Sequence, residues 1–197
     1  MIYMVDHVYM DATTEQAWND WYAANIHLLL TVPGVYGVQR FKAIGQQPSR
    51  YLSMYSVESG GIFESPEYKR AQGGGTQSVQ FHNAYRGWTR NLFDGAARAP
   101  ELAKGQRVFV CDSDTPDKKL PGSIKPLWVK AAPGLPKATP FSAQKLATAP
   151  YRAVIVLDAK TPLSDFANTG GYVYETITGV SRPCKIGSVL DFTPLAP

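Results

Sequence analysis

The chain has 197 residues, 44% of them hydrophobic and 18% charged, with a net charge of +4. That is the composition of a globular protein with a sizeable core, and it excludes disordered and fibrous classes. Residues 99–197 hold the charge excess, twelve Lys/Arg against eight Asp/Glu, as single lysines or the pair Lys118–Lys119 rather than as a basic stripe, so a nucleic-acid partner is not expected.

Ile2 to Met10 is rich in β-branched, aromatic and other apolar residues and predicts a strand, broken by the polar pair Asp6–His7. Alternation places His7 with Tyr3, Val5 and Tyr9 on one face, and Asp6 with Ile2, Met4 and Val8 on the other. A helix follows, with Thr13 and Gln16 spaced as a capping box and Glu15 in the first turn. Trp18, Trp21, Tyr22, Asn25, Leu28 and Leu29 give it an apolar face, and Pro33–Gly34 ends it. Two strands are predicted next, Val35 to Ala43 and Tyr51 to Glu58. A short helix is capped by Ser65 with Pro66 in its first turn, and the glycines at 73–75 stop it. Tyr85 to Phe93 is the fourth strand.

This order, strand-helix-strand-strand-helix-strand, is the ferredoxin-like plan of an α+β fold, with one face of its sheet left bare. Twelve of the fifteen prolines lie after residue 98. Strand-like runs continue from Arg107, around Trp128, and from Phe141, Tyr151 and Tyr172, with a loop where a repeat would place its long helix. Thr161 to Asn168 reads as a short helix capped by Thr161. The expected organisation is a ferredoxin-like half at 1–98 and a degenerate, β-rich second copy at 99–197, joined by a linker near 97–106. The antiparallel sheets of the two halves would pack as an α+β barrel. An unrelated β-rich extension is the alternative.

The segment W-x-x-W-Y-x-x-x-x-H-L (Trp18, Trp21, Tyr22, His27, Leu28), the V-P-G-V before the second strand, Arg40–Phe41, Tyr51–Leu52, Tyr55 and the S-P-E-Y of Ser65 to Tyr68 carry a resemblance. They resemble the dimeric α+β barrel superfamily and its EthD-like group over residues 1–95. Relatives commonly carry a proline two residues after the helix-terminal histidine, where this chain has Leu29. The resemblance implies small-molecule pockets between sheet and helices, and members that include isomerases, cyclases, cofactor-free monooxygenases and haem proteins. Either one chain builds the barrel or a homodimer does.

His27 is the first catalytic candidate. The helix dipole raises its pKa and neighbouring leucines lower it, which leaves it titrating near neutrality as an acid or base. A capping or packing histidine is the alternative. Arg40 and Tyr55 would hold an oxygen on which charge develops, with Arg40 also a potential partner for Asp6. Trp18, Trp21, Tyr22, His7, His82, Tyr85 and Trp88 are the expected substrate-binding residues. No metal-ligand spacing, phosphate loop or nucleophile elbow occurs. The expected function is a cofactor-independent lyase, isomerase, dehydratase or cyclase acting on a small hydrophobic, aromatic or carbonyl-bearing substrate. A cofactor-free monooxygenase and a ligand-binding or assembly protein are the alternatives. Cys111 and Cys184 are expected as thiols, although a pair is open. With no membrane-length apolar run and no secretory pattern at the start, a cytoplasmic protein without a membrane partner is expected.

Overall fold

The computed structural model describes residues 1–71, 75–121, 124–135 and 149–183, with the backbone alone for 75–77. The strand expected from Phe141, and Cys184, lie outside the described residues.

Eight strands close into one antiparallel barrel: β1 (Ile2–Tyr9), β2 (Val35–Ala43), β3 (Ser49–Val57), β4 (Tyr85–Asp94), β5 (Arg107–Ser113), β6 (Leu127–Ala132), β7 (Tyr151–Leu157) and β8 (Tyr172–Thr176). Around the barrel they run β1-β3-β2-β8-β5-β7-β6-β4. The first four strands therefore lie in the order 4-1-3-2, and the last four repeat that order as 8-5-7-6. One chain closes the barrel, so a second chain is not needed for closure. The two seams are short: Phe41 to Ala43 on Tyr174 to Thr176, and Leu92 to Asp94 on Lys130 to Ala132.

Alternation along each strand sorts the core into layers. Ile2, Met4, Phe41, Leu52, Met54, Phe93, Val108 and Val154 fill the barrel interior. Tyr3, Val5, Tyr9, Val38, Tyr51 and Tyr55 face outward, where the helices α1 (Glu15–Leu29) and α2 (Pro66–Ala71) cover them. A bulge between Val35 and Gly37 interrupts the alternation of β2 and turns Val35 toward the helices.

α1 begins one residue later than its predicted cap. Thr14 holds the cap position without a side-chain bond to the helix. The Asp11 carboxylate instead gathers the start by accepting from Thr13 N at 2.9 Å, Thr13 Oγ1 at 2.6 Å and Thr14 Oγ1 at 2.9 Å. The capping box is thus replaced by an aspartate upstream, while Gln16 donates to Asp20. The buried stripe is Trp18, Tyr22, Ile26 and Leu29, narrower than the predicted face, because a helix lying on a sheet buries only the positions that point straight at it; Leu28 is exposed. Ser65 caps α2 as expected, with its Oγ accepting from Tyr68 N at 3.1 Å.

The second half has no long helix among its described residues. Phe109, Cys111, Ile155 and Leu157 on its outer face are covered by Phe166, from a 3-10 turn at Leu163–Phe166. That turn replaces the predicted helix at 161–168. No side chain caps it, and Asn168 closes the segment in the left-handed conformation at φ 62°. The linker is an ordered plug of the barrel end. Ala99 N donates to Ser56 Oγ, and Gln39 both accepts from Leu102 N at 2.9 Å and donates to Leu102 O at 2.8 Å. Gly171 lets β8 approach β5: a Cβ there would lie 2.5 Å from the Phe109 ring and from Val110 O. Gly171→Ala is expected to cost about 1–3 kcal/mol in a urea unfolding titration, because a packed ring and a backbone carbonyl must both move.

Inside the barrel the expected pairing of Asp6 with Arg40 is corrected. β1 neighbours β3 and β4 rather than β2, and Arg40 points to the helix side. Asp6 instead accepts from Arg152 at 3.1 Å, from Arg50 at 3.3 Å and from Thr89 at 2.8 Å. Arg152 also forks onto Asp112, Nε to Oδ1 at 2.6 Å and Nη2 to Oδ2 at 3.0 Å.

Candidate active site between the first helix and the sheet

The helix-facing side of the N-terminal strands is an enclosure of rings. Trp18 from α1 stacks on Tyr9 and meets Tyr51, Tyr22 and His7 edge-on, and its Nε1 donates to the Tyr85 hydroxyl at 2.8 Å. His7 lies within this enclosure, 4.8 Å from the Tyr85 ring and 5.1 Å from Trp18, and only 2% exposed. Neither His7 ring nitrogen has a hydrogen-bond partner among the described residues. Burial first, then repulsion from Arg40 and Arg50, pushes its pKa from 6.5 down to about 3. The imidazole is therefore neutral at physiological pH.

Arg40 enters from β2 and is likewise 2% exposed. Its guanidinium lies 4.1 Å from the Tyr22 ring centre and 5.0 Å from that of Trp18. One terminal nitrogen donates to Asn19 Oδ1 at 2.8 Å, while its Nε is buried without a partner. No carboxylate lies within 4.0 Å of it among the described residues, nor of Arg90 on β4, which donates to the hydroxyls of Tyr3 at 2.8 Å and Tyr68 at 3.1 Å. The enclosure therefore carries positive charge that protein carboxylates do not neutralise. Burial lowers the pKa of Arg40, and the surrounding tyrosine hydroxyls act in the opposite direction. Tyr55 completes the wall, with its hydroxyl 3.5 Å from that of Tyr22 and its pKa raised by burial.

The structure thus brings together His7, Trp18, Tyr22, Arg40, Tyr55 and Tyr85. Trp21 packs on Tyr22 and Phe81 at the margin. His82 sits beyond Tyr85, 5.9 Å ring to ring, with its Nε2 2.8 Å from Ser78 Oγ. Trp88 is half-buried, 6.0 Å from the Arg90 guanidinium. His27 is half-buried in the last turn of α1, one position past the buried Ile26 and more than a turn beyond Tyr22. Sequence reasoning missed Asn19, Tyr51 and Arg90. The alternation that placed Tyr55 on this face also places Tyr51 there, and Arg90 shares its parity with Trp88. Asn19 on α1 bridges Arg40 and the Tyr51 hydroxyl. That hydroxyl in turn donates to Glu15, which pairs with Lys42 at 3.0 Å, so the carboxylate serves the rim of the site. Among the described residues no three of His, Cys, Asp and Glu are arranged to hold a metal ion. No helix among them is long and apolar enough to cross a membrane.

No protein-family model and no curated protein sequence matches the chain. A solved structure does: the crystal structure of an anthrone oxidase-like protein is similar over 93% of this chain and 94% of its own, with a TM-score of 0.59 and 11% identity. At that identity the likeness shows a shared fold: this chain is a barrel of the same architecture.

Proposed function

We propose that the chain is a small-molecule enzyme that works by acid–base chemistry, without a bound cofactor, on an aromatic substrate bearing a carbonyl or phenolic oxygen. The observation that carries this reading is the set of unpartnered polar atoms in one ring-lined enclosure, both nitrogens of His7 and the Nε of Arg40. An unsatisfied buried polar atom costs about 1–3 kcal/mol. Three together are the mark of a place where a ligand's oxygen and its departing proton are received.

His7 accepts the proton from a phenol or from the carbon next to a carbonyl. The electron pair left behind moves onto the substrate oxygen, where Arg40 and the Tyr55 hydroxyl receive it. Charge developing on that oxygen offsets the repulsion between Arg40 and the new imidazolium. His7, a weak base on its own, thereby becomes a competent one when the substrate is present. The rings of Trp18, Tyr22 and Tyr85 exclude water and keep these interactions strong. Isomerisation, dehydration, cyclisation and lyase cleavage all share this first step.

The repeated strand order supports a finer reading, a ferredoxin-like half at 1–98 with a degenerate second copy at 99–197, akin to the EthD-like group. Among the described residues only the first half has a long helix, which supports one such enclosure in that half. A cytoplasmic location and a small hydrophobic substrate as partner complete the proposal. The anthrone oxidase-like neighbour favours a second outcome for the same first step, in which the substrate carbanion reacts with oxygen. Oxygen consumption during turnover distinguishes the two.

The test is exchange of solvent deuterium into enolisable aryl ketones, followed by proton NMR. Wild type is expected to catalyse the exchange, and Arg40→Met to slow it about 10²–10³-fold. Exchange at the uncatalysed rate across a panel of such ketones and phenol tautomers, or an undiminished rate in the variant, sinks the proposal.

A further inference from the structure

The mechanism above uses the outer face of β1; the inner face opens on a different space. A cavity of about 180 Å³ lies in the barrel at the end opposite the linker plug, lined by Asp6, Arg50, Asp112, Arg152, Tyr172 and Tyr174 among others. Asp6 and His7 point to opposite faces of β1, so the sheet itself separates this cavity from the ring-lined enclosure. Gly170 and the half-exposed Asp112 side chain lie at its rim.

The polar groups here are unequally used. Arg152 holds both carboxylates, and Asp6 accepts in addition from Thr89 and Arg50. Every carboxylate oxygen therefore already accepts a hydrogen bond. Arg50 makes a single side-chain hydrogen bond, to Asp6, and its guanidinium lies over the Tyr172 ring at 4.3 Å, with its other N–H groups without an acceptor among the described residues. The Tyr174 hydroxyl, on a side chain only 3% exposed, also has no acceptor there. Burial pushes the Tyr174 phenol well up, so it stays a donor. Spare capacity on Arg50 and Tyr174 is thus donor capacity, cationic on Arg50, and Val110 and the two tyrosine rings supply apolar wall.

From this we infer that the barrel interior is a binding site for a small organic oxyanion, a carboxylate carried on no more than one ring. Its oxygens take the open edge of Arg50 and the Tyr174 hydroxyl, and its body lies on Val110 and Tyr172. The size agrees, because an apolar cavity of roughly 150 Å³ accepts benzene. The site is independent of the acid–base reading and stands or falls separately from it.

The experiment is titration of the whole protein with benzoate, followed by calorimetry and ligand-observed NMR, with benzamide and benzylamine as neutral and cationic counterparts. Benzoate is expected to bind one-to-one with a Kd of about 1 mM or tighter. The counterparts and the Arg50→Gln protein are expected to bind at least about tenfold more weakly, and Arg40→Met, across the sheet, to bind benzoate as wild type does. Val110→Phe keeps every charge and fills the space, so it loses binding even if Arg50→Gln does not fold. Three results overturn the site: no saturable benzoate binding, equal affinity for benzamide, or loss in Arg40→Met with retention in Val110→Phe.

Discussion

Arg152→Met is expected to lower the unfolding free energy by about 3–5 kcal/mol in a urea titration at neutral pH. The Arg152 side chain is 5% exposed and bridges carboxylates on two other strands, Asp112 on neighbouring β5 and Asp6 on β1 across the interior. Methionine fills much of the volume, so the loss reports charge rather than a cavity. The two carboxylates share the loss unequally. Asp112 is 46% exposed at its side chain, so water screens it and its part is small. Asp6 is 9% exposed at its side chain and keeps only Arg50 and Thr89, so its partly uncompensated charge carries most of the effect. The double variant Asp6→Asn/Arg152→Met should therefore recover at least about 1 kcal/mol relative to Arg152→Met alone. A single variant within about 1 kcal/mol of wild type would mean that water reaches the cluster and that the barrel does not depend on it.

The outward and inward layers of the N-terminal strands were legible because alternation is a local property. Alternation alone puts His7 with Tyr3 and Tyr9, and Asp6 with Ile2 and Met4. What could not be read was which distant strand supplies a partner. Arg152 lies 146 residues from Asp6, and only closure of the barrel makes them neighbours. The same limit applies to the cavity, whose walls come from strands far apart in the sequence, from Asp6 on β1 to Tyr174 on β8. Capping failed for a smaller reason: Asp11 competes for the same hydroxyls and amides that Thr13 was expected to serve. The case for His27 rests on its place at the helix end. The case for His7 rests instead on the rings of Trp18, Tyr51 and Tyr85, which only the packing of α1, β3 and β4 beside β1 brings around it.

His7→Gln is expected to reduce turnover of an exchanging ketone about 10²–10⁴-fold, while His27→Gln leaves most of it. Glutamine can still hydrogen-bond a ligand oxygen but cannot take up a proton, so substrate affinity should survive and kcat should fall. The same substitution has a signature in stability that needs no substrate. Histidine in the unfolded chain binds a proton below about pH 6.5, whereas burial and the flanking Arg40 and Arg50 hold the native His7 neutral down to about pH 3. Between these values the unfolded state carries the extra proton, so the native state loses stability as pH falls, by about 1.4 kcal/mol per unit where the difference is a full proton. At and above neutrality both states are neutral and the group contributes no slope. His7→Gln should therefore flatten the acid limb of the stability profile from pH 6 to pH 4 while the profile above pH 7 keeps its shape. Surviving kcat in the variant would move the base elsewhere, with His27 the first residue to test. An unchanged acid limb would show that the imidazole titrates freely, and an imidazole open to water could not be the enclosed base on which the chemistry depends.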